Sequence, residues 1–406
     1  MKNNFIKKLK EMNISKKSWE FIEKHKFTIF FMIITFISLI IRYLFIEYQS
    51  SDYDACLEPW FNTIKENGGF KALKMDIGNY NSPYMQILAI LTYLPLKPLL
   101  SIKMVSIIFD YVCAFIVMQF VYVLEKRNSK TKFKELIVYF SIIFLPTVIL
   151  NSSCWGQADS IYTAFVLASI LNLVKEKYTK AFIYLGIAFS FKLQTVFILP
   201  LYIFIYLNKK KFSIFDFFII PLVDLILSLP SIIAGKSIID CWNIYIGQVG
   251  ENNGYLEMNF PNIYSLIFPK DNIFVISPGD YFERIGLFIT IGIFAIMTFV
   301  VIYKKINFNK EQIIEFGLWS IMVATFFLPH MHDRYLFMAD ILSIVYFLCN
   351  KKKIYIPIGV SAVSLYTYSN FLFGGNNIPV EYISIIFAIL IFTITKDIYI
   401  KYIDEK

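Results

Sequence analysis

Apolar stretches long enough to cross a bilayer recur along the whole of this sequence, near 27–47, 101–124, 134–150, 157–174, 213–234, 281–303, 311–328, 334–349, 353–373 and 379–399. A helix needs roughly 17 to 25 residues to span the hydrocarbon core, so each stretch predicts a transmembrane helix. Composition agrees: 57% of the 406 residues are hydrophobic and 18% aromatic, with a mean hydropathy of +0.59. That is far too apolar for a soluble chain of this length. The expected fold is an all-α polytopic membrane protein.

Two further regions are ambiguous when taken alone. Residues 83–100 are apolar but interrupted by Pro95, Lys97 and Pro98, and 181–207 carries Lys192 and Gln194 in its middle. The distribution of lysine resolves both. Lys7-Lys8, Lys126-Arg127, Lys209-Lys210-Lys211, Lys304-Lys305 and Lys351-Lys352-Lys353 stand between apolar runs and read as cytoplasmic anchors. The formal net charge of +9 is therefore a topology signal and does not imply a nucleic-acid partner.

If 83–100 lies on the membrane, the loop from Lys126 to Lys134 is cytoplasmic. For Lys209 to Lys211 to be cytoplasmic too, 181–207 must cross twice, breaking near Phe191-Lys192. About twelve transmembrane helices result, with membrane-lying helices in the first outer loop and both termini inside. The stretch 27–47 lacks a small-residue cleavage site and reads as a retained anchor. The expected organisation is a basic cytoplasmic segment 1–26, a transmembrane module 27–234 with its first outer loop at 48–100, an outer loop 235–280, and C-terminal transmembrane helices 281–406.

This topology gathers the polar clusters that are not anchors on one face. Asp52 and Asp54, in Ser51-Asp-Tyr-Asp54 directly after the first apolar stretch, are dispensable for folding and costly near hydrocarbon. Solvated charges at a helix end would also account for them. A following membrane-lying segment, however, makes their loop the floor of a cavity, and an acid/base pair fits that place. His330 and His332 flank Met331 beside Asp333 and Arg334. Two histidines at this spacing could bind a metal, but no third ligand has the expected spacing, and an interfacial turn is the plain alternative. An anion site suits imidazole and guanidinium better, since both donate hydrogen bonds to phosphate oxygens.

Lys192, with Gln194, could snorkel, but its mid-segment position favours an anion partner. Trp155, Gln157 and Asp159 read equally as an interfacial aromatic and a helix start. The cysteines Cys56, Cys113, Cys154, Cys241 and Cys349 form no CxxC pair, and no Gly-rich phosphate loop is present.

Taken in order, these segments resemble the GT-C superfamily of polyprenyl-phosphate-sugar-dependent glycosyltransferases. Ser51-Asp-Tyr-Asp54 with Trp60 looks like the first-loop Gly-Asp-Tyr/Phe-Glu signature of the dolichyl-phosphate-glucose glucosyltransferases, and Asn81-Ser-Pro-Tyr84 resembles their Tyr-Pro-Pro-Leu. Phe191-Lys-Leu-Gln194 is similar to a Lys-Pro-Gln or Lys-Gln element. His330-Met-His-Asp-Arg334 resembles His-x-His-Glu-Lys, or the Met-His-Glu-Arg-Tyr of bacterial members. Trp155-Gly-Gln-x-Asp159 is frequent in bacterial mannosyl- and glucosyltransferase-like relatives. The likeness covers roughly 50 to 340, with Ser51, Leu193 and Asp333 departing from the usual Gly, Pro and Glu.

The resemblance implies inverting transfer of a hexose from a polyprenyl-phosphate sugar to a hydroxyl of a glycan or lipid acceptor, at the outer face of a cell membrane. Asp52 would be the base, with Asp54 orienting the acceptor, or serving as the base if the register is shifted by two. Arg334, His332 and Lys192 would hold the donor phosphate, and Gln194, Trp155, Gln157, Asp159, His330 and Asp333 would line the substrate site. Neither a cofactor nor a metal is implied, and membrane lipid is the only other partner. A lipid-linked sugar flippase or other transporter would share the many spans, but its charges belong near the midplane in paired half-helices.

Overall fold

The computed structural model describes residues 16–125, 129–250, 255–268, 281–375 and 378–404. The anchors Lys7, Lys8, Lys126 and Arg127, and the outer-loop stretches 251–254 and 269–280, lie outside the described residues. The chain is a bundle of helices: α1 (Lys16–Leu44), α2 (Glu58–Glu66), α3 (Ser82–Leu91), α4 (Pro98–Leu124), α5 (Ser129–Ile143), α6 (Asp159–Val174), α7 (Tyr178–Phe191) and α8 (Leu199–Lys209). It continues with α9 (Ile219–Ala234), α10 (Ile238–Gly250), α11 (Tyr281–Tyr303), α12 (Lys310–Phe327), α13 (Phe337–Cys349), α14 (Tyr355–Phe373) and α15 (Val380–Ile398).

Among the described residues, five helical stretches are long and apolar enough to cross a bilayer: α1, α4, α9 with the turn before it (Ile214–Ala234), α11, and α15 with the turn after it (Val380–Tyr402). A sixth span arises if Thr131–Ile143 and Pro146–Trp155, which meet at 51°, count as one. The bend falls at Pro146, whose ring cannot continue the hydrogen-bond ladder. Length and composition do not confirm the expected count of about twelve. Several inner helices, α6, α8 and α13 among them, are apolar but shorter. α6, for example, buries fourteen of its sixteen residues against protein, so it needs no uniformly apolar surface and carries Asp159, Ser160 and Thr163. α7 is 14 residues long and ends at Lys192, where the chain breaks into a 3₁₀ turn (Leu193–Ile198) before α8.

Residues 83–100 do not form one crossing. α3 stops at Leu91, the chain turns, and α4 starts at Pro98, a favourable first helical position. Ten residues in α3 rise only about 15 Å, half the thickness of a bilayer core. With α2 this segment builds a small core of its own from Tyr53, Leu57, Phe61, Ile64, Leu73, Tyr84 and Leu88. The stretch expected as a plain loop at 235–280 also contains a helix, α10, whose Gln248 donates to the Asn79 carbonyl at 2.6 Å.

Ion pairs define one end of the bundle. Lys134 meets Glu125 at 2.6 Å, Lys351 lies 3.7 Å from the same carboxylate, and Lys353 meets Asp397 and Lys401 meets Glu315 at 2.9 Å each. Lys310 donates to the Val123 carbonyl at 3.0 Å. The end of α4, the start of α12 and the end of α13 therefore meet here. The chain between α12 and α13, which carries His330 to Arg334, lies at the opposite end.

Candidate active site

At that opposite end the chain leaving α1 turns and re-enters helix as a π-helix, Tyr53–Leu57, with Asp52 at its start. Tyr53 and Leu57 are buried in the local core, which fixes the helix's rotation. Residues two apart on a helix point to roughly opposite sides. Asp52 consequently faces inward, whereas Asp54 is exposed and does not line the cavity described below.

Three groups converge on a single oxygen of Asp52. Its Oδ2 accepts from Trp155 Nε1 at 2.9 Å and Gln157 Nε2 at 2.6 Å, and Arg334 lies 3.6 Å from it. Among the described residues no group hydrogen-bonds Oδ1. Gln157 is held in turn by the Tyr80 hydroxyl, which donates to its Oε1 at 2.9 Å. Trp155 and Gln157 can both reach Asp52 because a π-helix, Leu150–Trp155, ends at Gly156 with φ +79°, a left-handed conformation that favours glycine.

Lys192 is buried, and its ammonium donates to Asp159 Oδ1 at 2.5 Å. Asn151 donates to the other oxygen of Asp159 at 2.9 Å. Tyr80 and Tyr162 flank the ammonium, their ring centres 5.3 and 5.9 Å away. The cation expected to be free for an anion is therefore already neutralised, and Asp159 lies beneath the cavity rather than on its wall.

Arg334 is the hub of the cluster. It lies 3.6 Å from Asp52, 3.4 Å from Asp333 and 3.9 Å from Asp159. Its guanidinium also sits 5.4 Å from the centre of the Trp155 ring, which stacks on Phe371 at 4.3 Å. The Arg334 Nε–H is buried without a hydrogen-bond partner. Burial pushes the Asp333 carboxyl up to about 7, helped by Asp52 and Asp159 and only partly opposed by Arg334. Burial, reinforced by Arg334, Lys192 and His330, pushes His332 down to about 3. At neutral pH His332 is an uncharged hydrogen-bonding group, not the cation that a phosphate clamp would favour.

His330 lines the same end of the bundle and also makes contacts with the 255–258 segment and Glu283. Its backbone N–H donates to the Leu256 carbonyl at 2.8 Å, its Nδ1 meets the Tyr255 carbonyl, and its Nε2 lies 3.7 Å from Glu283. It clips the outer loop in place at a φ of +62°. Beside it, β1 (Glu257–Met258) pairs in parallel with β2 (Met331–His332).

One cavity of about 740 Å³ joins these groups. Asp52, Tyr80, Gln157, Lys192, Gln194, His330, His332, Asp333 and Arg334 line it, with Phe191, Leu193, Phe197 and Leu287 supplying apolar wall. Trp155 is fully buried behind Asp52. Tyr80 and Asn151 carry no motif of their own. Only their position in space, beside Gln157 and Asp159, marks them.

Residues 152–257 match a family described as Mannosyltransferase (PIG-M). A stretch of 110 residues is 29% identical to GPI mannosyltransferase 1 of Saccharomyces cerevisiae, covering 27% of this chain and 26% of that protein. This chain thus spans about a quarter of the length of that curated relative. The family match includes Trp155, Gln157, Asp159, Lys192 and Gln194, while Asp52 and Arg334 stand outside it. The central region of this chain is thus similar to a mannosyltransferase family, in keeping with the resemblance to the GT-C membrane glycosyltransferases that its motifs carry.

Proposed function

We propose that this protein transfers a hexose, with mannose the first candidate, from a polyprenyl-phosphate donor to a hydroxyl of a glycan or lipid acceptor. The observation that supports the reading best is the placement of Asp52 and Arg334 on one cavity, a carboxylate with an uncommitted oxygen beside a guanidinium. Asp52 Oδ1 takes the acceptor proton as the hydroxyl attacks the anomeric carbon. Arg334 meets the charge that develops on the leaving phosphate, where a dry cleft makes it worth more than in water. Single displacement inverts the anomeric centre.

His332 and Gln194 contribute neutral hydrogen bonds to the sugar or phosphate. Lys192, paired with Asp159, fixes the wall and adds a screened positive field. The reaction needs neither a nucleotide nor an obligatory metal in this scheme. The lysine-rich end is cytoplasmic by the positive-inside rule, which puts both termini inside and the cavity at the outer face.

A panel of polyprenyl-phosphate sugars offered to the purified protein tests this directly. Consumption of the mannosyl donor is expected, with a product of inverted anomeric configuration by NMR. Turnover of nucleotide sugars alone would sink the proposal.

Asp333 adds a pH dependence. Its carboxyl is neutral below about 7 and ionised above, and the ionised form competes with the donor phosphate for Arg334. Donor KM should therefore rise as the pH passes from roughly 6 to 8, because donor binding is linked to proton uptake at Asp333. Asp333→Asn should flatten that rise. An unchanged pH profile in the asparagine variant would assign the dependence elsewhere.

A further inference from the structure

Lys103 lies on α4, fully buried, and makes no ion pair among the described residues. A buried ammonium without a counter-ion is costly, and an apolar side chain of the same length would fill the space. Its three protons are nonetheless all used. The ammonium donates to the carbonyls of Phe45 at 3.0 Å, Ile46 at 3.1 Å and Tyr48 at 2.5 Å. These carbonyls lie just beyond the end of α1 at Leu44; that of Phe45 also accepts from the Tyr48 N–H at 3.1 Å, and those of Ile46 and Tyr48 take the ammonium.

The stem of Lys103 has a second neighbour. A Cβ placed on Gly156 would sit 3.5 Å from Lys103 Cγ, in van der Waals contact. Gly156 joins Trp155 to Gln157, the two side chains that donate to Asp52. Lys103 thus bonds the turn delivering the carboxylate and runs beside the turn delivering its donors. Ser50 ties the same two segments, donating to the Trp155 carbonyl at 3.0 Å. Two turns further along α4, Asp110 holds Arg42 of α1 at 3.0 Å and accepts from Ser152 at 2.6 Å, so the clamp continues behind the site.

We infer that Lys103 is a positioning residue for Asp52: it sets the 45–52 turn against the 155–157 turn so that the carboxylate meets the acceptor in reactive geometry. The inference rests on the reading of Asp52 as the base. It separates from the donor-phosphate site, since Lys103 touches none of Lys192, His332 or Arg334.

Lys103→Met and Lys103→Arg test it in the full-length protein in detergent micelles. Lys103→Met should lower kcat by about 10²-fold, the scale of an ångström's misplacement, and leave donor KM within about twofold. Lys103→Arg keeps the charge and the donors and should recover most of the loss. Hydrogen exchange supplies a readout independent of sugar transfer: amides of 45–57 should exchange faster in Lys103→Met while those around 330–336 stay as in the parent. Gly156→Ala perturbs the same junction from the other side and should give the same pattern if Lys103→Met does not fold. Unchanged exchange at 45–57 would overturn the inference whatever the enzyme transfers. A rise in donor KM matching the fall in kcat, with no rescue by arginine, would also overturn it. A parent protein that transfers no sugar, with exchange changed as expected, would instead count against the proposed function alone.

Discussion

Asp52→Asn is expected to reduce sugar transfer by about 10² to 10⁴-fold, the usual contribution of a general base, while donor KM stays level or falls. The direction of the second effect follows from the charge balance around Arg334. Three carboxylates, Asp52, Asp159 and Asp333, lie within 3.9 Å of that one guanidinium. Neutralising one of them leaves Arg334 freer for the donor phosphate. Asparagine preserves the shape, and its carbonyl oxygen still accepts from Trp155 and Gln157, so folding is not at stake. Asp54→Asn, by contrast, changes an exposed side chain off the cavity and should leave both parameters alone. Steady-state kinetics of the two single variants and the double variant check this. Loss in Asp54→Asn with retention in Asp52→Asn would move the base by two residues, and full activity in the double variant would end the enzymatic reading.

Asp52, the Trp155-Gly156-Gln157 turn, the break at Lys192 and the Arg334 cluster were legible because each violates what a membrane segment otherwise needs: an acid near hydrocarbon, a glycine at a helix start, a lysine inside an apolar run. Linear spacing could not show which groups meet. That Lys192 is held by Asp159, 33 positions earlier, is a consequence of α6 packing against the end of α7. The sequence pattern offers Asp52 and Asp54 as a pair, because spacing alone does not say which of two neighbouring acids faces inward. The π-helix separates them, and the burial of Tyr53 and Leu57 decides which faces inward. The expected number of spans is not confirmed by length and composition among the described residues. Helices such as α6 and α12 are surrounded by protein and carry polar residues such as Glu315, which is buried and bonded to Lys401 and Tyr402. Arg42 and Asp110 were missed outright, since single charges inside apolar stretches gave no hint that they pair at 3.0 Å.

Arg334→Ala should raise donor KM and lower kcat together, the latter by about 10² to 10³-fold, as for the loss of one donor to a developing oxyanion. Ground-state binding suffers because the phosphate loses the guanidinium. Lys192 cannot replace it while Asp159 holds the ammonium at 2.5 Å. The transition state suffers more, because the leaving phosphate carries more charge than the bound donor. Arg334→Lys should rescue only in part. A lysine ammonium is a compact point charge and cannot present the planar fork of N–H donors that a guanidinium offers to two phosphate oxygens. Stability also falls in the alanine variant: Asp52, Asp159 and Asp333 are left without the guanidinium that screens them, and removing one side of a buried charge cluster costs about 3 to 5 kcal/mol. That penalty shrinks below pH 7, where Asp333 takes up a proton, so a thermal melt at low pH separates the folding defect from the kinetic one. Lys192→Ala should act in the same direction and combine with Arg334→Ala to less than the sum, since both shape the field at one phosphate. Donor kinetics that stay unchanged in Arg334→Ala, with only acceptor affinity altered, would reassign the cluster to the acceptor side of the cavity and leave the phosphate without a named partner.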